Sequence, residues 1–210
     1  MTRSKSPENS ISRIVEEIAS QGYAVIENFL NQETLNALSA HAQHLKTRGL
    51  MHKATTGLNN TPSTIRGDFI HWIEEEKANA VEQAYLRQMS QLQSALNQSF
   101  FLSLIELESH FAIYPPNAGY QKHLDQFIGK EERKISCILY LNQDWLLNDG
   151  GALRIHLDKM QNQTSIDIIP NAGTIVVFLS SDFIHEVLPA KRERVSITGW
   201  FRTRKIEMAS

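Results

Sequence analysis

Apolar residues recur at helical spacing three times in the first hundred positions: Ile11, Ile14, Val15 and Ile18, then Leu35, Leu38, Ala42 and Leu45, then Val81, Tyr85, Leu92 and Leu96. Each stripe marks one face of an amphipathic helix, so three helices are predicted. Between the first two, Tyr23 to Phe29 reads as a short strand bounded by Gly22 and by Asn31, an N-cap candidate with Thr34 close behind. Residues 47–64, with Gly49, Gly57, Asn59, Asn60, Pro62 and many threonines, read as a long loop, of the kind that often carries function. From Ser109 onward the period changes to two, and the apolar runs are broken by Pro115-Pro116, Gly119, Gly129, Asn148 to Gly151, Pro170 to Gly173 and Pro189. Strands are predicted at 109–114, 120–127, 134–142, 151–157, 164–169, 173–179, 184–188 and 194–203. Eight strands without intervening helices suggest an α+β fold: a double-stranded β-helix (jelly roll) core with the N-terminal helices packed on one sheet. The expected organisation is a single domain over residues 1–210, with 1–100 mainly helical support and 109–203 the jelly-roll core.

Composition narrows the setting. Of 210 residues 41% are hydrophobic and 21% charged, ordinary for a folded protein. A formal charge of −2 supplies no broad basic field, so nucleic acid is not expected as a partner. The single cysteine, Cys137, lies in an apolar run and reads as a small buried hydrophobe in a reducing compartment. Met1 to Ser10 is polar with no apolar stretch behind it, and no run approaches the ~18 apolar residues of a membrane span. A cytoplasmic protein without a membrane partner is expected.

His123-Leu124-Asp125 lies in a predicted strand, where positions i and i+2 share a face, so both polar side chains can reach one ion. The same spacing occurs in His156-Leu157-Asp158. A third ligand decides between them. Two histidines and one carboxylate on one face of a metal suit iron(II) oxygenase chemistry and leave positions open for cosubstrate and dioxygen. His185 lies on the seventh predicted strand, with four strands between it and His123 but only two between it and His156. The shorter separation is not expected to bring His156 and His185 into register, so His123, Asp125 and His185 are grouped. His156 is expected to face solvent, with Leu153, Ile155 and Leu157 turned inward. His41, His44, His52, His71 and His110 are assigned no chemistry. On the last strand Arg194, Ser196, Thr198 and Trp200 share one parity, a polar face that makes sense inside a barrel only if a polar ligand lies there. A buried guanidinium needs an anion, and its planar fork fits a carboxylate.

These residues, with Ile65 to Ile73, Tyr114-Pro115-Pro116, Gly119 to Asp125, Ile138 to Asn142, Gly150 to Ile155, His185-Glu186-Val187 and Arg194 to Trp200, resemble the iron(II)/2-oxoglutarate-dependent oxygenases. More narrowly they resemble the prolyl 4-hydroxylase family, which includes the hypoxia-inducible-factor prolyl hydroxylases and their bacterial relatives. The resemblance implies iron(II) on His123, Asp125 and His185, with Arg194 and the Tyr140 hydroxyl on the distal carboxylate of 2-oxoglutarate. It further implies Tyr114, Leu153, Val187, Thr198 and Trp200 around the cosubstrate, and Arg66, Asp68 and Tyr120 on the substrate side. Dioxygen is the implied co-reactant, ascorbate the reductant, and a proline-containing protein or peptide the partner, with a translation elongation factor as one candidate; the chain itself is expected to be a monomer. Two departures from the animal enzymes are Leu139, beside Tyr140, and His110, expected near the site mouth. A small-molecule 2-oxoglutarate oxygenase and a cupin-like metal-binding protein without oxygenase activity remain open as alternatives.

Overall fold

The computed structural model describes residues 7–56, 61–62, 65–126, 132–157 and 164–204. The three periodic stripes become α1 (Pro7–Gln21), α2 (Gln32–Thr47) and α3 (Ala80–Phe100). Asn31 caps α2 as its position suggests, its side chain accepting the Thr34 N–H at 2.8 Å. Asn79 and Glu82 form a capping box on α3. The strands are β1 (Tyr23–Ile26), β2 (His52–Lys53), β3 (Thr55–Thr56), β4 (Thr61–Pro62), β5 (Phe69–Trp72), β6 (Glu106–Tyr114), β7 (Tyr120–His123) and β8 (Arg133–Tyr140). There follow β9 (Leu153–His156), β10 (Ser165–Ile168), β11 (Ile175–Leu179), β12 (His185–Val187) and β13 (Arg194–Arg202).

The eight predicted core strands are β6 to β13, divided equally between two antiparallel sheets. A seven-stranded sheet runs β1-β11-β8-β13-β6-β5-β2 and a four-stranded sheet β10-β9-β12-β7. The first strand is shorter than predicted because Asn28 turns the chain with φ 56. The segment read as a loop is partly extended: β2 pairs with β5, and β3 pairs with β4. Its threonines are β-branched and suit strands, a preference that the flanking Gly, Asn and Pro residues obscured. Residues 57–60 and 63–64 of that segment lie outside the described residues, as does Asp158.

Alternation on the larger sheet separates two cores. Phe111, Ile113, Ile135, Cys137, Leu139, Ile175, Val177, Val195 and Ile197 face the helices and pack on Ile14, Leu38, Tyr85, Met89 and Leu92. Ala112, Tyr114, Ile138, Tyr140, Val176 and Phe178 face the smaller sheet and meet Leu153, Ile155 and Val187. Cys137 belongs to the helix-side core, and burial pushes its thiol up and keeps it protonated. Leu139 sits there too, so this departure from the animal enzymes points away from the space between the sheets. Among the described residues no helix is long and apolar enough to cross a membrane.

Candidate functional site

His123 ends β7 and His185 begins β12, and the two are direct cross-strand partners. Asp125 follows two residues after His123 and turns inward, 5% exposed, while Leu124 faces out at 37%. Its Oδ1 lies 3.7 Å from His123 Nε2 and its Oδ2 lies 3.6 Å from His185 Nε2. One donor atom from each of the three residues falls within 4.8 Å of the others. The backbone sets the tautomers. His123 Nδ1 is 2.7 Å from the Gln121 carbonyl and His185 Nδ1 is 3.1 Å from the Phe183 carbonyl. A carbonyl only accepts, so each Nδ1 carries the proton and each Nε2 presents its lone pair to the shared space.

Electrostatics favour the same use. Burial, helped by the neighbouring His185, pushes His123 down to about 4, so its imidazole is neutral near pH 7, the form that can ligate a metal. Burial alone would raise the Asp125 carboxyl. The His185 and His123 rings and the Ser136 hydrogen bond outweigh it and hold the group below its ordinary value, as an anion. Two imidazoles and one carboxylate fit a divalent iron with room left for further ligands.

His156 does lie beside His185, contrary to the strand-counting argument. β9 pairs directly with β12, His185 opposite Ile155 and Glu186 opposite Arg154. In this topology the number of intervening strands does not measure adjacency. Parity is what excludes His156: Leu153 and Ile155 point inward, while His156 turns outward, its Nε2 3.1 Å from Glu186 Oε1. His156→Ala should therefore leave metal affinity and turnover near wild type. A loss matching that of His123→Ala would move the site to β9.

Arg194 opens β13 and is 2% exposed. Its Nε donates to the Gly151 carbonyl at 2.9 Å, and its guanidinium carbon lies 5.3 Å from the Tyr114 ring centre and 5.0 Å from that of Tyr140. Gly151 can serve this turn because its φ is 71° and a Cβ there would come within 2.8 Å of Ala190 Cβ. Glu193 and Glu186, the nearby acids, are engaged with Lys46 and His156. Among the described residues Arg194 has no carboxylate partner, and the buried hydroxyls of Tyr140 and Ser196 have no hydrogen-bond partner. A buried cation beside an unpartnered hydroxyl is the complement of an anionic oxygen ligand, so the residues fit a dicarboxylate. Leu153 and Val187 wall the same space, with Thr198 and Trp200 continuing the Arg194 face of β13.

Of the residues expected on the substrate side, Asp68 is 0% exposed and takes both Nε and Nη2 of Arg66, the first at 2.7 Å. Arg66 lies over the Tyr120 ring at 4.8 Å, and Tyr120 stacks on His123 with centroids 3.6 Å apart. The three therefore form a support leading to a candidate ligand, with Asp68 as its anchor. A groove of about 600 Å³ runs alongside, lined in part by Lys53, Arg66, Tyr120, Val187 and Pro189.

Two features of the site have no local signature in the sequence. Ser136 and Ser180 stand behind Asp125, hydrogen-bonded to it in series, with nothing in their apolar surroundings to mark them. His110 is not at an open mouth: it is 1% exposed, wedged between Trp72 and Trp200 at 4.7 and 5.5 Å, and neither ring nitrogen has a partner. Burial first, and the Arg66 charge second, push it down to about 3. Below the ordinary value of 6.5 the unfolded chain takes up a proton that the folded imidazole refuses. Stability from this group is thus intact above pH 6.5 and is lost, by about 1.4 kcal/mol per pH unit, as pH falls towards 3. Urea midpoints measured across that window should fall less steeply in His110→Phe than in wild type; parallel curves would refute the assignment.

The 2OG-Fe(II) oxygenase superfamily model matches residues 109–202, the β6 to β13 region. A prolyl-4-hydroxylase structure from Pseudomonas putida superposes with a TM-score of 0.84 at 42% identity, covering 93% of this chain and 100% of that one. A Trichoplax adhaerens prolyl hydroxylase in complex with a hypoxia inducible factor peptide fragment gives 0.80 at 25% identity, over 93% and 90% of the two chains. The hypoxia-inducible factor prolyl hydroxylase of Caenorhabditis elegans is 30% identical over 86% of this chain and 26% of its own length. For Egl nine homolog 1 of Homo sapiens the figures are 31%, 86% and 43%. The chain thus spans between about a quarter and a half of the length of these curated relatives. It belongs to the 2OG-Fe(II) oxygenases, and among them to the prolyl 4-hydroxylase family. That family uses iron(II), 2-oxoglutarate and dioxygen.

Proposed function

We propose that this protein is a peptidyl-prolyl 4-hydroxylase, with iron(II) held by His123, Asp125 and His185 and 2-oxoglutarate anchored by Arg194. The observation that carries the reading is the pairing of the inward-facing ligand triad with a buried guanidinium that has no acidic partner among the described residues. When bound, the iron supplies the redox chemistry that couples decarboxylation of 2-oxoglutarate, to succinate and carbon dioxide, with insertion of an oxygen atom into a substrate C–H bond.

The chain's own residues do the rest. His123 and His185 keep Nε2 free because their Nδ1 protons are committed to backbone carbonyls. Arg194 and the Tyr140 hydroxyl bind the distal carboxylate and orient the cosubstrate along β13 towards the triad. Leu153 and Val187, with the Tyr114 ring, exclude water. The groove beside Arg66 and Tyr120 is open to an extended polypeptide, which favours a protein substrate over an enclosed small molecule. A translation elongation factor, a cytoplasmic setting, a monomeric enzyme and ascorbate as reductant complete the reading.

The test is incubation with iron(II), 2-oxoglutarate and proline-containing peptides, including elongation-factor segments. The expected result is a mass gain of one oxygen on proline, matched by one succinate. Succinate released only with a free small molecule, and no peptide modified, would overturn the peptide reading.

A further inference from the structure

A chain of hydroxyl groups connects the two sheets directly behind the triad. Ser136 Oγ donates to Asp125 Oδ2 at 2.7 Å, and Ser180 Oγ lies 2.8 Å from Ser136 Oγ. Both serines are 0% exposed. Proton bookkeeping sets the direction. The carboxylate can only accept, so the single Ser136 proton goes to Asp125, and the contact between the hydroxyls must be Ser180 donating to Ser136. Donors in series polarise one another, which strengthens the bond that reaches the carboxylate.

The location matters as much as the bonds. All three candidate ligands come from the smaller sheet or the residues just after its strand β7. Ser136 lies on β8 of the larger sheet, on the face it shares with Tyr140, and Ser180 directly follows β11. Backbone bonds brace the arrangement: Ser180 N–H donates to Lys134 O at 3.0 Å, and Gln126 N–H to Ser180 O at 3.4 Å. Asp125 therefore has its carboxylate rotation set by the opposite sheet, while His123 and His185 are oriented by carbonyls of their own strand segments.

We propose that Ser136 and Ser180 are positioning residues for the metal, fixing the Asp125 carboxylate so that its remaining lone pairs face the two Nε2 atoms. The inference rests on the triad being the iron site. Removing a partner that orients a metal ligand typically costs about 10- to 100-fold in metal affinity. Ser180 reaches Asp125 only through Ser136, so its contribution should vanish once Ser136 is gone.

The experiment is a titration of cobalt(II) into the metal-stripped protein, followed by visible absorption. Ser136→Ala should weaken cobalt(II) by about 10- to 100-fold, and Ser180→Ala by less. The double variant should be no weaker than Ser136→Ala, and Ser136→Thr, which keeps the hydroxyl, should stay near wild type. Affinity unchanged in Ser136→Ala, or losses that add in the double variant, would overturn the proposal. If Ser136→Ala does not fold, Ser180→Ala alone decides: unchanged affinity rejects the relay. His123→Ala separates the two levels, because cobalt(II) binding that survives it would refute the triad as the metal site rather than the serine relay.

Discussion

Arg194→Ala should weaken 2-oxoglutarate by about two to three and a half decades while leaving iron(II) affinity unchanged. The guanidinium is 2% exposed, held at one edge by the Gly151 carbonyl and flanked by two tyrosine rings, so a carboxylate bound to it would be almost wholly desolvated. Breaking such a pair costs about 3 to 5 kcal/mol, since the remaining charge stays buried without a partner. At about 1.4 kcal/mol per decade, that cost gives the stated range. Arg194→Lys should recover only part of the loss, because an ammonium is a point charge without the planar fork. The measurement is an anaerobic titration of 2-oxoglutarate into the iron(II) protein, followed by the metal-to-ligand absorption band. Wild-type affinity in Arg194→Ala would remove the cosubstrate assignment and favour a cupin-like metal protein.

Asp125→Ala and His185→Ala should each reduce succinate formation to the level of a protein-free control. Both residues are at most 5% exposed, and each would contribute one of only three protein ligands. Asp125 is also the sole carboxylate of the set, so without it two imidazoles face a divalent cation with no compensating negative charge. The secondary structure should survive, because β7 and β12 remain paired through their backbones and Asp125 lies beyond the last residue of β7. Far-ultraviolet circular dichroism alongside a cobalt(II) titration checks both halves. A variant that keeps metal and turns over would take its residue out of the coordination sphere.

Much of this was legible in the sequence because strand alternation is a strong local signal. The parity of Arg194, Ser196, Thr198 and Trp200 set apart a polar inner face on β13, and the structure has Val195 and Ile197 on the opposite face, against the helices. The eight core strands were likewise readable from turn residues and β-branched runs. What escaped was long-range. Which strands neighbour one another depends on how the two sheets close, so strand counting gave the wrong relation between β9 and β12. Ser136 and Ser180 are 44 residues apart and look like filler within apolar runs. His110 resembled any other strand histidine, because nothing local reveals that its ring is enclosed by tryptophans from two other strands.

The two-faced construction of β13 limits how the enzyme can change over evolutionary time. Neighbouring residues of one strand answer to unrelated demands, Arg194 to the proposed cosubstrate carboxylate and Val195 to the packing under the helices. Point substitutions can therefore drift on one side without consulting the other. A change in length cannot, because inserting or deleting one residue exchanges the sides and sends the guanidinium into the oily layer. Between relatives, β13 should accept substitutions that respect the demand on each face while its residue count is held fixed.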